Sequence, residues 1–174
     1  MDLMLVCDSL APASLFQDLR RAGIPAQRRP LSRGLLGPTR GIDPDPLAGC
    51  GTDFAVLLDG RPLAGLRRLR PDEAITALLG SPDVQDSGFY CRLDKLRLFP
   101  LRMIVLEGRL SGRYRLAEPA LYSFQYWCLR NYLFIFQTPD IKGTASLLEV
   151  LFRKMQRSVH ELESTDWACA AGRI

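Results

Sequence analysis

Short apolar segments alternate with helical patterns along almost the whole chain, and this alternation limits the folds available to the sequence. The apolar runs predict strands at residues 3–7, 24–29, 53–59, 63–69, 101–106 and 132–137. Helix patterns lie between them, at residues 12–23, 71–80, 89–99, 118–129 and 140–161. Strands that alternate with helices indicate an α/β fold with a mostly parallel sheet. The Asp59-Gly60 pair predicts a hairpin turn, so the sheet should be mixed.

The spacing of these elements predicts one domain over residues 1–160 and a short tail over 161–174. Residues 30–51 contain several Gly and Pro and few apolar side chains. This composition predicts a flexible loop.

Cysteine and histidine usage excludes several classes of site. The five cysteines include no CxxC pair, and His160 is the one histidine, so a zinc site lacks ligands. An odd cysteine count without a secretory pattern predicts reduced thiols, with Cys7 and Cys128 in the core. No apolar run approaches the roughly 18–20 residues that span a bilayer. We therefore expect a protein that is intracellular, is not secreted and has no membrane partner.

Positive charge is concentrated in two arginine-rich segments, although the net charge is only +4. These segments supply the candidate DNA contacts, which are Arg28, Arg29, Arg33, Arg67, Arg68 and Arg70. A guanidinium group suits phosphate, and contacts of this kind would be salt-sensitive and independent of base sequence. GC-rich codon usage, which enriches Arg, Ala, Gly, Pro and Leu together, explains the same composition equally well.

Acidic residues stand at the ends of several predicted elements. They are Asp8, Asp53, Asp72 and Glu107. Carboxylates that converge at strand ends could hold Mg²⁺ or Mn²⁺, although acids at such positions are also common caps and turn formers. The lone His160 lies far from any glycine-flanked serine, and no phosphate-binding glycine motif is present, so neither a serine hydrolase nor a nucleotide cradle is supported.

The order of these pieces resembles the nuclease domain of the XPF family, over about residues 3–157. The family pattern is V-D-x-R-E, G-D-[YF], E-R-K-x-x-x-D and I-E-G, followed by a Thr-Ala-x-x-Leu helix. The corresponding segments here are LVCD (5–8), GTDF (51–54), LRRLRPD (66–72), IVLEG (104–108) and TASLL (144–148). The resemblance implies a three-layer α/β/α, restriction-endonuclease-like fold.

The sequence departs from that pattern where the family performs catalysis. Leu66 stands in place of the metal-binding glutamate, and Arg68 in place of the lysine that positions water. Asp8, Asp53, Arg67 and Asp72 remain as remnant positions. The resemblance therefore implies a nuclease-like domain without catalytic residues or a metal cofactor. The alternative is an active, divergent Mg²⁺- or Mn²⁺-dependent endonuclease that uses Asp8, Asp53 and either Glu107 or Asp72.

The family resemblance also implies partners. Only a short segment follows the last predicted helix, so we expect the helix-hairpin-helix module of the family to be absent. A degenerate member of the family would pair with another XPF-family chain or a helicase-linked subunit, and would support binding of branched or single-stranded/duplex-junction DNA in the nucleus.

The candidate interface residues are Tyr122, Tyr126, Trp127 and Phe152. The helix at 118–129 carries more apolar side chains than one face can bury, which is typical of an interface or of a deeply buried helix.

Overall fold

A computed structural model describes residues 1–31, 47, 52–70, 93, 95–108 and 118–164, with backbone alone at 118, 120, 121 and 162–164. The strands are β1 (Leu3–Asp8), β2 (Ala26–Arg29), β3 (Phe54–Leu58), β4 (Arg61–Leu69), β5 (Leu101–Glu107) and β6 (Phe134–Thr138). The α-helices in these ranges are α1 (Ala13–Arg21), α2 (Glu118–Arg130) and α3 (Ile141–Ser164), and Lys95–Leu98 forms a turn of 3₁₀-helix.

The six strands form one mixed sheet with the order β2-β1-β3-β4-β5-β6. The pairs β1/β2, β4/β5 and β5/β6 are parallel, whereas β1/β3 and β3/β4 are antiparallel. Parallel pairs outnumber antiparallel ones, which confirms the predicted mixed, mostly parallel sheet.

The hairpin between β3 and β4 turns at Asp59 and Gly60, as predicted. Their φ values are 49° and 77°, which is the pattern of a type I′ turn. Leu58 pairs with Arg61 across it, so β4 begins two residues earlier than the sequence pattern indicated. The register shifts by one residue between Leu57 and Val56, and the pairing then continues to the far end of the hairpin, where Asp53 and Arg67 lie.

Helices cover both faces of the sheet, which confirms the layered α/β architecture. On one face, alternate strand residues such as Leu5, Phe54 and Met103 pack under α1 and α3. On the other face, residues such as Val6 and Ile104 pack under α2 and the 3₁₀ turn. Cys7 belongs to the first core and Cys128 to the second, as predicted, and burial raises the pKa of each thiol to about 12.

The helix ends follow simple sequence signals. Pro12 immediately precedes α1, and Gly23 follows that helix with a φ of 75°, which glycine adopts without strain. At the start of α3, the Asp140 carboxylate accepts the backbone N–H of Gly143 at 2.8 Å. This contact satisfies one of the free N–H groups of the first turn.

The last strand differs from its prediction. The apolar run at 132–137 indicated a buried strand, but β6 is an edge strand in which Phe134 is exposed. Tyr132 belongs to the preceding turn, with a φ of 55° and 81% exposure. A helix was predicted at residues 89–99, and the described residues near its end form the 3₁₀ turn.

Other predicted segments lie partly or wholly outside the described residues. They are the helix at 71–80, most of the loop at 30–51 and most of the tail at 161–174. Within the loop range, Leu31 and Leu47 are described, and both side chains are buried in the second core. None of the described helices combines the length and apolar character needed to cross a membrane.

Candidate functional site

One edge of the sheet contains five of the residues that the sequence singled out. Because β3 runs antiparallel to β1 and β4, its first residues lie beside the last residues of those two strands. Asp8, Asp53, Arg67 and Arg68 therefore meet at this edge, and Glu107 ends the neighbouring β5. We call these five residues the strand-end cluster.

Asp8 is a buried carboxylate that shapes the turn after β1. Its backbone N–H donates to the Asp53 carbonyl at 2.8 Å. Its Oδ1 accepts the Leu10 N–H at 2.9 Å and the Ser9 hydroxyl at 3.2 Å. The contacts at Oδ1 are those of an aspartate that forms a turn.

Asp53 is held by the two arginines that follow Leu66 in β4. Its Oδ2 accepts the Arg68 backbone N–H at 2.7 Å, and the Nε of Arg67 lies 3.6 Å from the same oxygen. Burial raises the pKa of Asp53 above its usual value and the nearby Asp8 adds to the rise, although both arginines oppose it. Removal from water therefore dominates over the ion pairs at this carboxyl group.

Leu66 is a core residue, 1% exposed. It pairs with Phe54 on one side and Met103 on the other, and all three belong to the core beneath α1 and α3. An aliphatic side chain in this place offers no metal ligand, and its burial stabilises the sheet.

Arg68 and Glu107 form an ion pair, and two threonines extend it into a hydrogen-bond network. The Nη1 of Arg68 lies 3.2 Å and 3.4 Å from the two carboxylate oxygens of Glu107. Thr144 in α3 donates its hydroxyl to Glu107 Oε2 at 2.7 Å. Thr144 has one hydroxyl hydrogen, so the Thr138 hydroxyl, 2.8 Å away, must donate to it. These four side chains connect β4, β5 and β6 to the first turn of α3.

Strand alternation separates the acidic side chains of the cluster. Phe54 and Val105 both point into the first core, on one face of the sheet. Because side chains alternate along a strand, Glu107, two residues beyond Val105, projects from that same face, whereas Asp53, next to Phe54, projects from the opposite face. Asp8 lies two residues beyond Val6 and shares the face of Asp53. The ligand set Asp8, Asp53 and Glu107 is therefore not brought together.

The residues described at this edge do not fit a divalent metal ion. In the described ranges, no group of three or more His, Cys, Asp or Glu side chains is placed to hold one. Asp53 and Glu107 each lie against a guanidinium group, which a metal ion would have to displace. Asp72 lies outside the described residues.

The candidate DNA contacts divide into structural and surface arginines. Arg28 donates to the Ala11 carbonyl and lies over the Phe16 ring, 5.4 Å from its centroid, so it fastens β2 to α1. Arg29 donates to the side chain of Gln27 at 3.1 Å and is half-buried. Arg70 is exposed just beyond β4. Arg33 lies outside the described residues.

The candidate interface residues also divide. Tyr122 and Tyr126 on α2 are each 63% exposed. Trp127 is half-buried against the second core and stacks on Phe124, with ring centroids 6.4 Å apart. Phe152 lies on the side of α3 that faces the sheet and is 1% exposed, so its prediction as an interface residue is wrong. On a helix packed against a sheet, a phenylalanine in the inward stripe fills the core.

Sequence reasoning missed the roles of Thr138 and Thr144. Both are buried polar residues, one at the end of β6 and one in the first turn of α3. A buried hydroxyl must find a hydrogen-bond partner. Their positions near a strand end and a helix start were a usable signal, but the identity of the partner depended on strand register.

Comparison with known proteins supports the fold. No protein-family model and no curated protein matches the chain. The chain is similar to the solved structure of XPF from Aeropyrum pernix, with a TM-score of 0.64 and 18% identity over 97% of this chain and 73% of that one. It is also similar to XPF from Aeropyrum pernix in complex with DNA, with a TM-score of 0.59 and 19% identity over 90% of this chain and 66% of that one. The chain therefore has the fold of the XPF nuclease domain.

Proposed function

We propose that this chain is a non-catalytic XPF-like subunit that supports binding of branched or damaged DNA in repair or recombination. The observation that carries this proposal is the strand-end cluster. In it Asp53 and Glu107 are paired with arginines, and Leu66 is buried in the core. Hydrolysis assisted by a divalent metal requires carboxylates that converge on the ion.

DNA contact in this proposal comes from the arginines at the same edge. Arg29 and Arg70 border the cluster, and the phosphate backbone is the natural target of a guanidinium group. The similar fold of an XPF structure in complex with DNA supports this choice of ligand.

The proposed protein partner is another XPF-family chain or a helicase-linked subunit. Tyr122 and Tyr126 present large amphipathic side chains on the outer face of α2, as contact residues of protein interfaces commonly do. Nuclear localisation belongs to the same proposal.

The decisive experiment incubates the purified chain with labelled forked and flapped DNA, in Mn²⁺ and then in EDTA. We expect binding without cleavage in either condition. Cleavage that requires the metal and disappears in the Asp53→Ala variant would contradict the non-catalytic assignment. Cleavage that persists in that variant would indicate a contaminating nuclease.

An active endonuclease is the second candidate, because Asp8 and Asp53 remain adjacent on one face. Occupied metal sites stabilise the folded state by mass action. If the enzyme is active, millimolar Mg²⁺ or Mn²⁺ should raise the melting temperature of the wild type and not of Asp53→Asn. We expect no such difference between the two proteins.

A further inference from the structure

The end of α2 holds a tyrosine in a backbone conformation that favours glycine. The Tyr132 N–H donates to the Leu129 carbonyl at 3.1 Å, and the Leu133 N–H donates to the Cys128 carbonyl at 2.9 Å. These two bonds define a Schellman motif, in which the residue at the position of Tyr132 adopts the left-handed region. Tyr132 accordingly has a φ of 55°.

The end of α1 forms the same motif with the usual residue. The Gly23 N–H donates to the Arg20 carbonyl at 3.0 Å, and the Ile24 N–H donates to the Leu19 carbonyl at 3.1 Å. Gly23 has a φ of 75°, which costs a glycine no strain. The chain therefore ends one helix with glycine and another with Tyr132, where a side chain lowers stability.

The Tyr132 side chain gives the fold little in return, because it is 81% exposed. Phe134, at the start of β6, is 59% exposed, so a second aromatic ring is accessible two residues further along the chain. Strain that is kept at an exposed side chain is typical of a functional position. The flat face of an exposed ring is a surface on which another planar group can stack.

Guanidinium groups lie beside this turn. Arg97 and Arg102 line a small pit together with Asn131 and Leu133, which are the two neighbours of Tyr132 in the chain. The pit connects the turn after α2 with the start of β5 and the 3₁₀ turn before it. A planar group on the Tyr132 ring would therefore have positive charge close by.

The other charges described near the turn have the same sign. Arg130 is exposed at the end of α2, and the described side chains of residues 95–106 and 122–138 include no Asp or Glu. Glu118 begins α2, about 18 Å from Arg130 along the helix axis. Asp94 lies outside the described residues. Positive charge of this kind suits a phosphate backbone.

We infer that this end of the sheet binds an unpaired strand of DNA, with a base stacked on the Tyr132 ring and phosphates held by the neighbouring arginines. Aromatic rings beside positive charge are the usual means by which proteins bind single strands without reading their sequence. The inference rests on the proposed function and deepens it, because it names the part of a branched DNA that a second site holds.

The second site lies at the end of the sheet opposite the strand-end cluster. The pairing of β5 with β6 joins Met103 to Phe134 at one end and Glu107 to Thr138 at the other. The strand from Leu101 to Glu107 spans about 20 Å. An unpaired arm that crosses this distance would connect the two sites, so a fork with long arms should bind more tightly than its duplex alone.

Substitutions at Tyr132 test the ring separately from the backbone. Binding of a short labelled oligothymidine to the purified chain is measured by fluorescence anisotropy at low salt. We expect Tyr132→Gly and Tyr132→Asn to weaken binding about tenfold through loss of stacking, and Tyr132→Phe to retain it. Binding of a blunt duplex should be the same in all four proteins.

The same variants show whether the fold is intact. Glycine and asparagine both accept the left-handed conformation, so neither substitution should unfold the turn. Tyr132→Gly should raise the melting temperature by about 2 °C, because it removes the strain. The variant that binds the single strand least should therefore be the most stable.

Arg130→Gln tests the charge beside the ring. It should weaken oligothymidine binding several-fold and reduce the salt slope by about 0.7, as expected when one phosphate contact with a single strand is lost. Arg157→Gln is the matched control, since Arg157 is an exposed arginine on α3, and it should change neither quantity.

Three results would overturn the inference. The first is that the wild type does not bind oligothymidine, or that Tyr132→Gly binds it equally well. The second is that Tyr132→Gly weakens duplex binding to the same extent. The third is self-association of the chain that Tyr132→Gly abolishes, since the ring would then contact protein.

Failure here is distinguishable from failure of the proposed function. If forked DNA binds Tyr132→Gly as tightly as the wild type, and Arg70→Ser weakens that binding, the proposed function stands and the second site does not. Metal-dependent cleavage that is lost in Asp53→Ala would contradict the non-catalytic assignment and would leave the Tyr132 measurements unaffected.

Discussion

Gly65 packs directly against the buried ring of Phe99, and its lack of a side chain permits this contact. A Cβ at this position would lie 2.4 Å from Cδ2 of the buried Phe99 ring. We expect Gly65→Ala to destabilise the protein by about 1–3 kcal/mol, because the ring must shift inside a packed core. Urea unfolding measures this change.

The double variant Gly65→Ala/Phe99→Leu is the control for that mechanism. The smaller leucine should relieve part of the overlap, so the two substitutions together should cost less than the sum of their separate effects. Purely additive effects would show that the cost of Gly65→Ala has another origin.

Glu107 joins Arg68 of β4 to Thr144 of α3, and its removal should be costly. Glu107→Gln weakens the interaction with Arg68 and with the Thr144 hydroxyl. We expect a loss of about 1–3 kcal/mol in the free energy of unfolding, because a largely buried guanidinium group would lose its charged partner. Glu149→Gln is the control, since it removes an exposed ion pair on α3 and should cost less than about 1 kcal/mol. Equal losses for the two variants would contradict the buried network.

Asp53 should make stability depend on pH in an unusual direction for an aspartate. Its pKa is raised in the folded protein by burial, so the folded state binds more protons than the unfolded state between 3.8 and the raised pKa. Stability due to this group therefore falls as pH rises through that window and is constant above it.

The Asp53→Asn variant lacks this titration. Its stability relative to the wild type should therefore increase from pH 3 towards neutral pH and then level off. Urea unfolding at several pH values checks this, with the exposed Asp18→Asn as control. A relative stability that decreases with pH would show that the ion pair with Arg67 outweighs burial.

At the scale of elements, α2 should show two faces with different energetic roles. Phe124 is fully buried, whereas Tyr126, two residues later, is exposed. We expect Phe124→Ala to cost about 3–5 kcal/mol through loss of packing, and Tyr126→Ala to cost less than about 0.5 kcal/mol. Denaturant unfolding of both variants checks this. A large cost at Tyr126 would mean that the residue supports the fold and is unsuitable as an interface probe.

Most elements could be predicted because local signals were strong. The Asp59-Gly60 turn, the Pro12 start of α1 and the inward stripe of α3 are each encoded by neighbouring residues. The edge position of β6 was not predictable, because a run of aromatic residues has the same pattern in a central strand as at an edge. Phe152 was misassigned to an interface although its helix periodicity already placed it in the core.

At the scale of the whole molecule, the site was only partly predictable. The sequence indicated that Asp8, Asp53 and Glu107 lie at element ends, and the structure places them at one edge of the sheet. Strand register decides which face of the sheet each carboxylate occupies. It also decides that the side chains of Arg67 and Arg68 lie on opposite faces. Register is set by the hairpin and by long-range packing, so motif order alone could not reveal it.

The salt dependence of binding to branched DNA should test whether the arginines at the strand-end edge of the sheet contact phosphate. If a few arginines contact phosphate, the logarithm of the binding constant should fall linearly with the logarithm of salt concentration, by about 0.9 per phosphate neutralised. Arg70→Ser should reduce that slope by about one and weaken binding to all branched substrates alike, because phosphate contacts carry no base sequence information.

Arg157→Ser, at an exposed arginine on α3, is the matched control and should leave the slope unchanged. Fluorescence anisotropy across a salt series measures both variants. Affinity for DNA that does not change with salt would show that the arginines at this edge do not bind phosphate, although the net charge of the chain is +4. The strand-end arginines would then serve to hold Asp53 and Glu107 in place, a role that needs no nucleic acid.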